Sequence, residues 1–470
     1  MRILRKKRYW GNSISGMAIC VGLINFMGVS CTKTPMEGMI IAVELGNVPA
    51  TDGENATLIA LDPSDPDKPV MELSEEFHSA CAPALSDNGR YLAFSGKKEQ
   101  AGTWQIWLMD LRKKSAHQVT DLPDDCTDPV FLPDGWIVFS RSAHINETRI
   151  SHLFKCKRDG SEIRQLTFHP HLDYASSVLN DGRILYISSQ QYPSQKTPQF
   201  NVMLPDGSKS DLYFPGSGRA FPVSSGTESG GSIYFVYRDR EGSAGGMLST
   251  IQQRRPLHSF MELSPGVTGV FQSVVPKSEN ICLVSYRSSP NESFALYEFD
   301  VIKQSVNARI GPGEGNLVDP VLVRSRTRPP ILPSVVNPDN PTALLMSQDI
   351  NYSELDPAAG IQGDTIACRI QISGLDGILG ESEVQEDGSI YLKIDADVPF
   401  RLTTMNEKGK AVRGPSGWIW LRPNERRGCV GCHADPELAP ENVVPMAVRH
   451  PPVVISRNQK EISKLEEATK

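Results

Sequence analysis

The sequence predicts a mainly β chain: a six-bladed β-propeller followed by a second, β-rich domain. Three observations predict it. A repeat of about 47 residues runs through the first two thirds, a proline-dense break follows, and short strands resume beyond the break. The repeat is clearest in Ala84–Ser95, Val130–Ser140 and Val178–Ser188. Each is an Asn-Gly or Asp-Gly turn followed by a strand of β-branched and aromatic residues. The turn glycines Gly89, Gly135 and Gly182 stand 46 and 47 residues apart. Extrapolating the step finds strands at Gly230–Tyr237, at Ser278–Tyr286 and, one step back, at Met39–Val43. Six repeats of short strands at this period are propeller spacing. The strand Asp319–Val323 is expected to close the ring against the first blade.

The units resemble the TolB-type six-bladed propeller over about residues 39–325. That repeat reads roughly Pro-x-Ser-Pro-Asp-Gly, then a strand, then Asp-Gly. A propeller implies a binding platform more than a particular activity. The Asp-Gly pairs are read as turn residues. At the entries to neighbouring blades stand Cys81, Cys126, His171 and Asp173. They predict either a zinc site, with Cys126 as one ligand, or a disulfide, or small buried residues.

The N-terminus reads as an export signal. Arg2, Arg5, Lys6, Lys7 and Arg8 precede a short apolar core, Met17–Val29, and Gly28-Val29-Ser30-Cys31 resembles a bacterial lipobox. Lipidation of Cys31, and so a membrane partner through that lipid, is the expectation. Ordinary secretion and an uncleaved anchor are the alternatives. A net charge of −7 gives no electrostatic footprint for nucleic acid. Nine cysteines in 470 residues do not make a disulfide scaffold.

Residues 326–342 hold five prolines and read as a semi-rigid connector. Beyond it, Ala343–Ile350, Thr365–Ile372 and Ser389–Ile394 read as strands, and Pro399–Leu402 begins another. Trp418 and Trp420 share one face of an extended segment that leads into Arg426-Arg427-Gly428-Cys429-Val430-Gly431-Cys432-His433. Cys-x-x-Cys-His is the attachment signature of a c-type haem: two thiols add to the haem vinyl groups and the adjacent imidazole reaches the iron. With 9 Cys and 9 His in the chain, chance placement gives about 0.3%. A zinc half-site, a dithiol pair and a disulfide are the other readings of the same spacing. Arg422, Arg426 and Arg427 are candidates to pair with haem propionates. Tyr352, Met446 and His450 are further candidates for the iron.

Several features occur in order in this domain: Arg328-Pro329-Pro330, Ile378-Leu379-Gly380, Glu386-Asp387-Gly388-Ser389, Ala396-Asp397-Val398-Pro399-Phe400, and Arg422 to His433. Together they resemble the middle domain of the hydrazine synthase α subunit, a family that also has a propeller before that domain. The resemblance implies that the motif histidine, His433 here, faces a zinc while a tyrosine four residues later holds the iron. This chain has Glu437 at that position, so His433 is left as the ligand of haem iron or of zinc.

The organisation expected is a lipoprotein signal at 1–31, a propeller at 32–325, the linker at 326–342, a haem c domain at 343–455 and a polar tail at 456–470. The function expected is electron transfer or redox sensing by an exported periplasmic or outer-membrane lipoprotein, with covalent haem c and a redox partner protein. One alternative is a haem oxidoreductase acting on a small nitrogen or oxygen species. The other is a non-enzymatic propeller module with structural zinc.

Overall fold

The computed structural model describes residues 36–46, 55–65, 68–145, 148–189, 198–217, 220–238, 245–311, 315–352, 366–431, 437 and 443–456. Six antiparallel sheets follow one another along the chain. The second blade is typical, with strands Ser79–Leu85, Tyr91–Lys97, Gln105–Asp110 and Ser115–Gln118 paired in order. The fifth blade is irregular, because Phe221–Pro222 and Thr227–Ser229 both pair with Ser232–Arg238. Asn316–Leu322 pairs antiparallel with Ile40–Leu45, so a C-terminal strand is the innermost strand of the first blade and closes the ring. The predicted closing strand is therefore present, displaced by a few residues.

The turns between the first two strands of each blade show why the repeat exists. Asn88 Oδ1 accepts the Arg90 N–H at 3.1 Å, Asp134 Oδ1 that of Trp136 at 3.2 Å and Asp181 Oδ1 that of Arg183 at 3.0 Å. The side chains mimic a backbone turn, and the glycine that follows takes the left-handed conformation. Gly182 has φ +89, and a Cβ there would lie 2.4 Å from the Pro330 carbonyl oxygen. Gly182→Ala is expected to cost more than about 1 kcal/mol, through backbone strain and displacement of the linker. A urea-unfolding midpoint equal to wild type would contradict this.

The linker is thus docked and not a free spacer. Arg326 N donates to Asp87 O at 2.8 Å, and Ser334 Oγ and Val335 N both donate to Asp206 Oδ2. Prolines suit such a segment: an extended backbone without ladder partners loses little by lacking N–H groups.

Innermost strands carry a repeated bulge. Ala82, Asp128, Ala175 and Asp319 all take positive φ, between 47° and 54°, where the register to the next strand shifts. Asp319 is exposed on the innermost strand of the first blade, with strands of the neighbouring blades packed around it. Burial, and then the charge of Asp128, push its carboxyl up from 3.8 to about 6. An acid whose pKa rises on folding keeps its proton in the native chain after the unfolded chain has lost it. Its contribution is therefore favourable below about pH 4 and is lost as pH rises toward about 6. Asp319→Asn is expected to flatten that decline in the urea midpoint. An unchanged pH slope would count against it.

The second domain is a pair of four-stranded sheets. One has the order Arg426–Gly431, Thr342–Asp349, Ile390–Asp395, Val453–Ile455. The other has the order Gly377–Glu383, Arg369–Gly374, Arg401–Met405, Ala411–Arg413. Thr342–Asp349 alternates inward and outward residues with period two. Its inward face joins Ile370, Ile372, Leu392, Phe400 and Leu421 in the core between the sheets. Gly377–Glu383 is a strand that the sequence reading missed, because its glycines and charges mask the alternation.

Candidate haem-attachment site

Cys429 lies on Arg426–Gly431, which pairs in parallel with Thr342–Asp349 and forms one edge of its sheet. An edge strand suits attachment, since a backbone paired on one side only leaves the other side open to a bulky group. The Cys429 thiol is half-buried and not in a disulfide. Among the described residues, a Cβ added at exposed Gly428 would meet only Met346 Cε, at 3.6 Å. At Gly431, by contrast, a Cβ would strike Tyr352 O at 2.5 Å and Tyr352 Cδ1 at 2.9 Å. Glycine at 431 is therefore what lets Tyr352 pack against the motif. Cys432 and His433 lie outside the described residues, as does Cys31.

Next to the neighbouring strand is an open pocket of about 280 Å³ lined by Asp349, Asn351, Ile366, Glu386, Asp387 and Arg413, with Gly388 at its wall. Asp349 is opposite Gly431 in the sheet. Asp387 ties in the short helical turn Met446–Arg449: its Oδ2 accepts the Met446 N–H at 2.7 Å. Tyr352 and the Met446 turn are thus both brought to the neighbourhood of the motif strand. His450 is exposed at the end of that turn.

The arginines divide. Arg426 is exposed on the edge strand. Arg427 is not available for a propionate as expected: its Nε and Nη2 donate to Glu425 Oε1, at 3.0 and 2.8 Å, and its Nη1 to the Ser210 carbonyl at 3.0 Å. Arg422 is also engaged, with Asp397 at 2.8 Å and over the Phe168 ring. The Arg427 guanidinium, whose Nε, Nη1 and Nη2 all donate inside the protein, gains little from a further carboxylate.

Glu425 organises this flank. It is 0% exposed. Oε1 accepts the Lys209 N–H at 2.9 Å, besides Arg427, and Oε2 accepts the Arg422 N–H at 2.8 Å. Lys209 and Ser210 belong to the propeller, so this carboxylate joins the two domains. Trp420, 1% exposed, packs on Phe168 and His169 at the crossover from blade three to blade four, so its role is interdomain core. Trp418 lies under the Arg401 guanidinium. Past the motif, Glu437 Oε1 accepts the Leu257 N–H at 2.7 Å, and Arg255 Nε lies 3.4 Å from Oε2. Sequence reasoning missed Glu425 and the Glu437 contact. The only local signal for Glu425 is an acid set among arginines, which reads equally well as surface.

The zinc expectation is corrected in its ligands. Cys126 is fully buried among Ala93, Ile106, Phe131, Ile137 and Cys156, and burial pushes its thiol up to about 12, so it stays protonated. Neither it nor Cys81 is in a disulfide. Asp173 pairs with His169 at 2.9 Å, a residue the sequence reading did not single out. Among the described residues no group of three His, Cys, Asp or Glu side chains is placed to hold a metal.

Fold and site together define a six-bladed propeller joined to a two-sheet domain that carries Cys-x-x-Cys-His at the end of an edge strand. Within that class the chain is similar to the hydrazine synthase α subunit. Residues 347–434 match the family model described as the hydrazine synthase alpha subunit middle domain. Hydrazine synthase subunit alpha of Kuenenia stuttgartiensis is 21% identical, over 78% of this chain and 61% of that protein. The chain thus spans about 61% of the length of that curated relative. The solved Kuenenia stuttgartiensis hydrazine synthase superposes with a TM-score of 0.74 at 18% identity, covering 87% of this chain and 71% of that one. At that identity the likeness is one of fold. TolB from Acinetobacter baumannii gives 0.47 at 18% identity over 60% of this chain and 66% of that one.

Proposed function

We propose that this chain is an exported haem c protein in which Cys429 and Cys432 hold the haem covalently, and that it works in electron transfer or redox sensing outside the cytoplasm. The observation that carries the reading is the half-buried Cys429 on an open edge strand, at the start of Cys-x-x-Cys-His. The matched family segment, residues 347–434, supports it, since it reaches just past that motif. When bound, the haem would supply a one-electron couple. The protein's part is to hold it: two thiols by covalent bonds, Arg426 as an exposed cation for a propionate, and His433 or Tyr352 toward the iron. Lipidation at Cys31 would tether the chain to a membrane, where a redox partner protein would meet it.

A reduced-minus-oxidised spectrum of chain made in a host with haem maturation tests the reading. Bands of a c-type haem are expected, and their absence would end it. An open pocket of about 280 Å³ at Asp349, which is opposite Gly431 in the sheet, favours one second reading, an oxidoreductase acting on a small nitrogen or oxygen species. Carbon monoxide decides between them: a shifted Soret band means an open iron position, and an unchanged one favours a carrier.

A further inference from the structure

We infer that the propeller face crossed by the linker binds a small organic carboxylate, between Arg158 of the third blade and Arg328 of the linker. The pocket is open and about 180 Å³ in volume, room for about six waters. No residue of the Cys429 strand lines it, and the inference needs no haem. Its place follows from how the linker runs. At one end Arg326 is tied to the turn of the second blade: its N–H donates to the Asp87 carbonyl at 2.8 Å and its Nε to Asp87 Oδ1 at 2.7 Å. At the other, the Pro330 carbonyl sits against Gly182 in the turn of the fourth blade. Arg328 lies midway and so reaches the third blade, where it shares the pocket with Phe131, Leu132, Pro133 and Arg158. A proline disfavours the helical conformation in the residue before it, so Pro329 helps to keep Arg328 extended.

Arg158 is held by the propeller. Its Nε donates to the Gly135 carbonyl at 3.1 Å, and its guanidinium lies over the Tyr91 and Phe131 rings, 5.1 and 5.3 Å from their centroids. A side chain fixed beforehand loses little freedom when a ligand arrives. What the pocket has left to offer is donors. Among the described residues, neither Arg158 nor Arg328 is in an ion pair, and no hydrogen bond uses the Arg158 Nη nitrogens. Asn88 Oδ1 is taken by the Arg90 N–H and the Ser86 hydroxyl, so Asn88 offers its Nδ2 donors. The acid in the wall, Asp87, is balanced by Arg326, and its side chain is 17% exposed. Two guanidiniums and an amide, with the acid already paired, select an anion. Phe131, Leu132 and Pro133 give the pocket an apolar side, and a planar carboxylate fits the guanidinium fork. A short dicarboxylate meets both demands, whereas inorganic phosphate has no use for the apolar side.

Isothermal titration calorimetry of the full chain at low ionic strength, with succinate as the probe, tests this. Saturable binding with a Kd on the order of 1 mM is expected. Succinamide, of the same size without the charge, should not bind, and inorganic phosphate should bind at least about threefold more weakly. Arg158→Gln is expected to weaken succinate about tenfold. Because Arg158 packs on two rings, the melting midpoint of this variant is measured beside it. Arg328→Gln is expected to weaken succinate about fivefold, and its exposed side chain leaves folding out of the question. Arg254→Gln, at an exposed arginine of the fifth blade, should stay within about twofold of wild type. No saturable heat with succinate, or equal binding of succinamide, overturns the site. Wild-type affinity in Arg328→Gln, or an equal loss in Arg254→Gln, overturns its placement. Phosphate binding as tightly as succinate overturns the carboxylate as its ligand.

Discussion

A Cys429→Ala, Cys432→Ala double variant, made in a host that matures c-type haem, is expected to carry no covalent haem. The measurement is haem staining of the chain after a denaturing gel, where only thioether-bound haem survives. The effect is all-or-none, because the two thiols are the only atoms in the motif that can form the bonds. The fold should survive. Cys429 is half-buried on an edge strand and only partly packed against the core between the sheets, so the truncation removes little apolar contact. An unaltered far-ultraviolet β signal with loss of the stain is the expected pair of results. Stain retained at the chain's mass would mean that the haem, if present, is attached elsewhere.

The second large effect is at Glu425. Glu425→Ala removes a carboxylate that is 0% exposed and accepts from Arg427, Lys209 and Arg422. It leaves the Arg427 guanidinium, 15% exposed, without its acid and two backbone N–H groups without an acceptor. Breaking a buried pair from one side costs about 3–5 kcal/mol. The damage should fall on the joint between domains, because Lys209 belongs to the propeller and Arg427 to the motif strand. Urea unfolding followed by tryptophan fluorescence should therefore show the loss, with Trp420 as a reporter at the same joint. Glu425→Gln, which keeps Oε1 as an acceptor, should lose less. A loss below about 1 kcal/mol in Glu425→Ala would mean that the pair barely repays its own desolvation.

Much of the architecture was legible because it is local and repeated. Asn88, Asp134 and Asp181 each cap their own turn, and such chemistry needs no knowledge of the rest of the molecule. Ring closure followed from the count of repeats. The thiols of the motif are legible for the same reason: attachment chemistry fixes their spacing, whatever surrounds them. Of the readings of Cys126, the small buried residue is the one the structure shows, and the reason is local packing. Equivalent positions in successive repeats share a place in the blade, each two residues before the bulged residue, but what a side chain meets there depends on its neighbours in space. Cys126 turns into the apolar core between blades, while Asp173, one blade on, turns to His169.

The sequence by itself determined the blades, their closure, the second β domain and the place of the Cys-x-x-Cys-His motif along the chain. Only the tertiary structure decided what the charged residues around that motif do. Arg427 looked like a partner for haem, Glu437 like an empty ligand position, and Glu425 like surface. Each finds its partner about 180 to 217 residues away in sequence, on propeller turns. A hydrogen bond needs its donor and acceptor about 3 Å apart, and for residues so far apart in the chain only the packing of one domain on the other sets that distance.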